Sequence, residues 1–102
     1  FSPNYVTNKL IVGPVVDIKQ VNNITGAIVC IPSADPGFDW LFSKNIAGLV
    51  TAWGGVNSHM AIRSGELGIP ALIGTGDKIF NQIKSASSLS LDCSSKKFEI
   101  LN

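Results

Sequence analysis

The fold of this chain is decided by one segment, residues 47–74, which reads AGLVTAWGGVNSHMAIRSGELGIPALIG. Residues 47–51 are a short apolar run, which predicts a buried strand. Residues 58–67 predict a helix that a glycine and a proline then stop. Residues 71–73 predict another buried strand. A strand, a turn, a helix and a strand in this order are typical of an α/β domain built on a central sheet.

Strands and short helices alternate in the rest of the chain as well. Apolar runs bounded by glycine and proline predict strands, and apolar residues at helical spacing predict helices. The predicted elements are strands over residues 9–16 and 27–31, helices over residues 37–45 and 77–83 (with Asp77 as an N-cap), and a hairpin of residues 89–92 and 97–101. Hairpins at both ends of the chain favour a mixed sheet or a second small sheet. The predicted fold class is therefore α/β, with a central mixed sheet flanked by short helices.

Length, composition and charge limit the class of protein. The 102 residues fit one domain, and 45% hydrophobic with only 15% charged residues argues against disorder. A formal net charge of +1 predicts neither nucleic acid nor a membrane as a partner. No apolar run approaches the ~20 residues that cross a bilayer.

The start of the chain and its two cysteines give expectations about context. The chain begins in a polar, turn-prone stretch without a methionine, so we expect residues 1–7 to be a linker remnant and residues 8–102 to be the domain, a fragment of a larger protein. The spacing of Cys30 and Cys93 matches no zinc or redox motif. Both are predicted to be reduced thiols in a cytoplasmic protein.

The turn between the predicted strand and the helix carries the chemistry. Gly54 and Gly55 allow a tight turn and let another molecule come close to the backbone. Asn57 or Ser58 can cap the helix, which places His59 in its first turn. A helix N-terminus favours an anion, above all a phosphate, and disfavours an imidazolium. The pattern therefore predicts a neutral, nucleophilic histidine that accepts a phosphoryl group and passes it on.

Simpler interpretations stand beside this one. A lone histidine is often structural, and a Gly-Gly pair often serves only a tight turn. Arg63 lies four residues after His59 and could clamp the phosphate, or it could pair with Glu66 on the surface. The composition of the segment predicts no metal site, because a second histidine and a nearby cysteine pair are lacking. Asp39 is predicted to start a helix rather than to act as a catalytic acid, and Trp53 to belong to the core.

The same residues carry a resemblance to a known family. Residues 54–62, GGVNSHMAI, followed by residues 66–71, ELGIPA, closely resemble the phosphohistidine signature of the phosphoenolpyruvate-utilising enzymes. That family includes phosphoenolpyruvate synthase, pyruvate phosphate dikinase, the first enzyme of the sugar phosphotransferase system and rifampicin phosphotransferase. The flanking strands also fit, so the resemblance extends from about residue 8 to residue 101.

The resemblance implies a swivelling β/β/α domain in which His59 carries the phosphoryl group on Nε2. Gly54 and Gly55 would shape the loop, with Asn57, Ser58 and Arg63 in support. An ATP-grasp domain in the same chain would phosphorylate His59, and the carrier domain would then swing to an acceptor site for pyruvate or another molecule. Magnesium and ATP, or phosphoenolpyruvate, would be bound mainly by these partner domains. This domain alone is expected to hold no cofactor or metal.

Two positions depart from the family pattern and leave other functions open. The family usually has an arginine at the position of Gly65 and often a threonine at the position of Asn57. The missing arginine favours a non-catalytic regulatory or interaction module that kept the fold. A free-standing phosphocarrier is a third possibility. The first choice remains a phosphotransferase carrier domain within a larger enzyme.

Overall fold

The computed structural model describes residues 3–19 and 22–102 of the chain. Seven strands and three helical segments follow one another along these ranges. The strands are β1 (Asn4–Val6), β2 (Leu10–Asp17), β3 (Ile28–Ser33), β4 (Gly48–Trp53), β5 (Ala71–Ile73), β6 (Ser88–Asp92) and β7 (Lys97–Leu101), and the helical segments are a 3₁₀ helix (Pro36–Lys44), α1 (His59–Leu67) and α2 (Asp77–Lys84).

The strands form one mixed sheet in the order β1-β5-β4-β3-β2-β6-β7. Its centre, from β2 to β5, is parallel. At the two edges, β1 and the β6–β7 hairpin pair in antiparallel fashion. Parallel neighbours need a crossover connection, and the 3₁₀ helix supplies it between β3 and β4, as α1 does between β4 and β5. The predicted α/β class and the central mixed sheet are confirmed.

Residues that alternate along the parallel strands build a core on each face of the sheet. On β3, Val29 and Ile31 belong to one core, while Ile28 and Cys30 belong to the other. The 3₁₀ helix and α1 cover the first core, and α2 with the β6–β7 hairpin covers the second. The covering side chains are Leu41, Met60 and Ala61 on the first face, and Phe80, Ile83, Leu89 and Leu91 on the second.

The two predicted helices outside the central segment need correction in detail. The first is a 3₁₀ helix, begun by the Asp35 carboxylate, which accepts a hydrogen bond from the Gly37 N–H at 2.8 Å. Asp77 is not the N-cap of α2 but its first residue, and Gly76 takes the cap position. The Gly76 N–H donates to the Ala52 carbonyl at 2.9 Å, which fixes the cap at the sheet edge. A carboxylate in the first turn still suits the helix dipole.

The first residues contain a strand that the sequence did not reveal. Asn4–Val6 pair with β5, so β1 adds an edge to the sheet and forms no hairpin with β2. The expected N-terminal hairpin is therefore wrong, because β2 pairs instead with β3 and β6. The linker prediction for residues 1–7 stays a prediction, and residues 1 and 2 lie outside the described ranges.

Both cysteines are free and buried. Over the described ranges, every helix is too short or too polar to span a bilayer.

Shortening a side chain in the middle of the sheet should destabilise the domain strongly. Leu72 on β5 is fully buried, so Leu72→Ala is expected to lower the free energy of unfolding by about 2–5 kcal/mol. Leu10 on β2 is 61% exposed, and Leu10→Ala should change that energy by about 0.5 kcal/mol or less. Urea unfolding followed by circular dichroism measures both, and equal losses would contradict the burial of Leu72.

Candidate functional site

The turn that leads into α1 depends on Gly54. This residue directly follows β4 and has a φ of +127°, a conformation that side chains disfavour. A Cβ atom there would lie 2.5 Å from the Ala34 Cβ. Gly55, by contrast, has open space where its Cβ would be. The backbone therefore requires glycine at the first position of the pair and tolerates a side chain at the second.

Ser58 occupies the N-cap position of α1 without capping through its side chain. Its backbone is extended, and its carbonyl accepts the first helical hydrogen bond, from the Ile62 N–H at 3.1 Å. Its Oγ instead donates to the Gly55 carbonyl at 2.6 Å and closes the turn. Asn57 lies exposed in that turn. The structure thus selects Ser58 over Asn57 as the cap residue.

His59 lies in the first turn of α1, as predicted, and is its first residue. Its ring contacts a residue that the sequence analysis did not assign to the site. The His59 Nε2 lies 2.7 Å from the Oδ1 of Asp39, which is on the 3₁₀ helix. The side chains are 37% and 44% exposed, so the contact is open to solvent on one side. The structure brings together two residues that stand 20 positions apart in the chain.

Arg63 joins the same cluster from the next turn of α1. Its Nε donates to Asp39 Oδ1 at 3.2 Å, and its Nη1 donates to Glu66 Oε1 at 3.2 Å. The guanidinium carbon also lies 5.9 Å from the centre of the Phe42 ring. The surface pair with Glu66 is therefore present, together with a second pair that was not foreseen. The clamping of a phosphate by Arg63 stays a prediction.

The electrostatics of the cluster fix where the hydrogen lies. The hydrogen bond with His59, and then the contacts with Arg63, lower the pKa of Asp39 below its usual value. Glu66 and Asp39 together raise the pKa of Arg63. An ionised carboxylate can only accept, so the His59 Nε2 carries the hydrogen in this contact. In the neutral ring the lone pair then lies on Nδ1.

The structure extends the sequence prediction for Asp39 and corrects the one for Trp53. Asp39 does lie in the first turn of its helix, but it also contacts the histidine. The contact follows from the parallel pairing of β3 and β4, because the segments after both strands leave the sheet at the same edge. Trp53 is 54% exposed and not part of the core, since it is the last residue of β4, beyond the covered part of the sheet.

No cluster of three or more potential metal ligands occurs among residues 3–19 and 22–102. The residues at this site are those of a polar surface cluster around one histidine ring.

Residues 24–96 match the family model described as "PEP-utilising enzyme, mobile domain", where PEP is phosphoenolpyruvate. This chain belongs to that family. The match covers the 3₁₀ helix, α1 and the whole Asp39–His59–Arg63 cluster.

Curated relatives place the domain within larger proteins. The chain is 36% identical over 78 residues to the phosphoenolpyruvate synthase of Aquifex aeolicus and 35% identical over 78 residues to that of Escherichia coli. These alignments cover 76% of this chain but only 9% and 10% of the relatives. A probable phosphoenolpyruvate synthase of Staphylothermus marinus is 42% identical over 67 residues, which are 66% of this chain and 8% of the relative. The chain therefore spans about a tenth of the length of these relatives.

A solved structure shows the same fold at low sequence similarity. The solution NMR structure of a UPF0107 protein superposes with a TM-score of 0.72, covering 100% of this chain and 98% of that one. The identity is 14%, so this likeness concerns the fold alone.

The two glycines of the turn should respond differently to substitution. Gly54→Ala puts a Cβ against Ala34 and forces a disfavoured φ, so we expect a loss of about 2–4 kcal/mol in the free energy of unfolding. Gly55→Ala, the matched control, should change it by about 0.5 kcal/mol or less, because its Cβ meets open space. Urea denaturation of both variants measures the difference. A Gly54→Ala protein as stable as Gly55→Ala would contradict the described turn.

The pKa of the Asp39 carboxyl group should depend on its contact with His59. We expect its pKa to lie below the usual ~3.9 and to rise toward that value in His59→Ala, which removes the largest cause of the shift. Because the folded pKa is lowered, the contact stabilises the fold above the usual pKa and is lost as the pH falls through the lowered one. Carbon-13 NMR titration of the Asp39 carboxyl measures this. Val56→Ala, which leaves the polar cluster intact, is the control, and a pKa unmoved by His59→Ala would refute the contact.

Proposed function

We propose that this chain is the phosphoryl-carrier domain of a phosphoenolpyruvate synthase-like phosphotransferase, and that His59 is the residue that carries the phosphoryl group. The observation that supports this most is the position of the only histidine. It is the first residue of α1, directly after a turn that requires Gly54, in a chain that matches the mobile-domain family.

The surroundings of His59 suit a phosphoryl group. The first N–H groups of a helix have no partner within the helix, so α1 presents donors and positive potential beside the ring. A phosphate on the ring adds negative charge at this end of α1, where it is favoured. In the transfer, a ring nitrogen attacks the phosphorus with its lone pair, and the bond from phosphorus to the donor oxygen breaks. The reverse sequence of bonds delivers the group to the acceptor.

Exposure supports a carrier that visits other domains. The His59 side chain is partly open to solvent. Large apolar side chains are exposed in the segments that lead to the site, on α1 and beside Asp39: Trp40, Trp53, Val56 and Ile62. Exposed apolar side chains near a reactive residue are typical of a surface that docks against another protein surface. The partners proposed are an ATP-grasp domain and an acceptor domain in the same chain, consistent with relatives about ten times as long.

Magnesium and ATP, or phosphoenolpyruvate, belong in this proposal to the partner domains. The residues near His59 are one arginine and two carboxylates, and they are tied to one another. Arg63 is the residue of this chain proposed to contact the phosphate, with Gly54, Gly55, Asn57 and Ser58 forming the loop. A cytoplasmic location is part of the same proposal.

A second function is favoured by a specific observation. Asp39 occupies the His59 Nε2, Arg63 is engaged by two carboxylates, and Gly65 stands where the family usually has an arginine. A module that kept the fold and lost phosphoryl transfer would also show these features. Such a module would take up no phosphate from any donor.

The deciding experiment uses the multidomain parent protein with magnesium and either ATP or phosphoenolpyruvate. Intact mass should show one added phosphate, and phosphorus-31 NMR should show a phosphohistidine that is stable in base and labile in acid. His59→Ala should lose transfer activity by at least roughly 10³-fold while keeping its circular dichroism spectrum. Asn81→Ala, exposed on α2 and on the opposite face of the sheet, is the control and should load normally.

Failure of both donors to load the folded parent would favour the non-catalytic module. A phosphate that survives in His59→Ala would move the carrier site to another residue.

A further inference from the structure

The ring nitrogen expected to receive the phosphoryl group already makes a hydrogen bond in this structure. The His59 Nε2 donates to Asp39 Oδ1 at 2.7 Å, and the same Oδ1 accepts from Arg63 Nε at 3.2 Å. We propose that Asp39 is a positioning residue that competes with the phosphoryl group for the His59 Nε2. It holds the Nε2–H form of the ring in the unloaded carrier and leaves that nitrogen when the carrier is loaded. This inference rests on the proposed function.

The competition follows from the bonding of an imidazole ring. Each ring nitrogen has one position in the plane of the ring, which holds either a hydrogen or a lone pair. An N–P bond at Nε2 uses the position that now points at Asp39. The Nε2–H contact and a phosphoryl group on Nε2 therefore exclude each other. The 2.7 Å distance also leaves no room for a phosphorus atom between the nitrogen and the carboxylate.

Loading consequently needs a proton transfer and a movement. With phosphoramidate as a small donor, the Nε2 hydrogen leaves to solvent while Nδ1 becomes protonated. The Nε2 lone pair then attacks phosphorus, and the P–N bond of the donor breaks with its electron pair going to nitrogen. The ring gives up its Nδ1 proton to solvent, and the leaving nitrogen takes up a proton in exchange and departs as ammonia. Asp39 has then lost its donor and faces a group of about −1.5 to −2 charge. Repulsion drives the carboxylate away from the ring.

Arg63 remains a hydrogen-bond donor to the carboxylate of Asp39 after that carboxylate has left the ring. Asp39 keeps its contact with Arg63 Nε, whose own position is held by Glu66 and by the face of Phe42. Asp39 thus acts through His59 on the reaction and does not itself touch the donor. Its role is to set which nitrogen carries the hydrogen, as a carboxylate partner does for many functional histidines.

NMR can measure directly which nitrogen of the ring carries the hydrogen, because this chain contains a single histidine. Long-range nitrogen-15–proton spectra of the neutral ring should show Nε2 protonated and Nδ1 unprotonated in the native chain. Asp39→Ala should move both nitrogen signals toward an average of the two forms, and Asp39→Asn, which keeps the shape, should move them in the same direction. Glu99→Gln removes a charge from an exposed position on β7, outside the cluster, so the ring signals of this variant should stay at the native positions.

Loading by phosphoramidate tests the competition without any partner domain. Asp39→Ala should load roughly two- to fivefold faster than the native chain, a size typical of a partly exposed ionic contact. Glu99→Gln should load close to the native rate, which separates competition for the nitrogen from a general effect of net charge. In the loaded native chain the phosphate should be on Nε2, and the Asp39 carboxyl signal should shift as its donor is lost.

Three results would overturn the proposal: a native ring with Nδ1 protonated, an Asp39→Ala chain that loads no faster, or a phosphate on Nδ1 with the Asp39 contact retained. These outcomes are independent of whether ATP or phosphoenolpyruvate loads the parent protein. Failure of this inference is therefore distinguishable from failure of the proposed function.

Discussion

The close approach of three backbone segments at the carboxyl edge of the parallel strands is the constraint on which the site depends. The residue after β4, Gly54, lies against Ala34, which follows β3, and a Cβ on Gly74, after β5, would collide with the Gly54 carbonyl. Hydrogen bonds fix the approach: the Ala34 N–H donates to the Trp53 carbonyl at 3.0 Å, and the Gly74 N–H donates to the Thr51 hydroxyl at 3.0 Å. Because side chains are excluded here, the chain can turn at once from the sheet into α1.

This turn determines where the histidine lies relative to the neighbouring connection. β3 and β4 are adjacent and parallel, so the 3₁₀ helix and α1 begin at the same edge and pack on the same face of the sheet. The first turn of each then faces the other, which places Asp39 beside His59. Arg63, one turn further along α1, reaches the same carboxylate. The polar cluster is thus a product of sheet order and helix packing, and local sequence alone does not contain it.

That distinction explains what could be predicted from the sequence. The central strands and α1 were predictable, because apolar runs and the glycine and proline after the helix mark them locally. The positions of Gly54 in the turn and of His59 in the first turn of α1 were predictable for the same reason. β1 was not, since three residues carry too little pattern, and it exists through pairing with β5. Asp39 was assigned only its local role at a helix start. Its contact with His59 spans 20 residues and follows from tertiary structure, which no window of sequence reports.

The charge of the cluster bears on how firmly a phosphoryl group could be held. One arginine faces two carboxylates around the ring, so the negative charge of the carboxylates exceeds the positive charge of the guanidinium. A phosphoryl group adds more. Packing does not forbid a second arginine, since a Cβ at Gly65 would make only an ordinary contact with Val6 at 3.6 Å. The fold therefore does not impose the lack of a second cation. Under the proposed function, a loaded His59 would draw on positive charge from a partner site, such as magnesium or basic residues, in addition to Arg63 and the N-terminus of α1. If His59 carries a phosphoryl group as proposed, this arrangement favours release of the group at the partner site over storage on this domain.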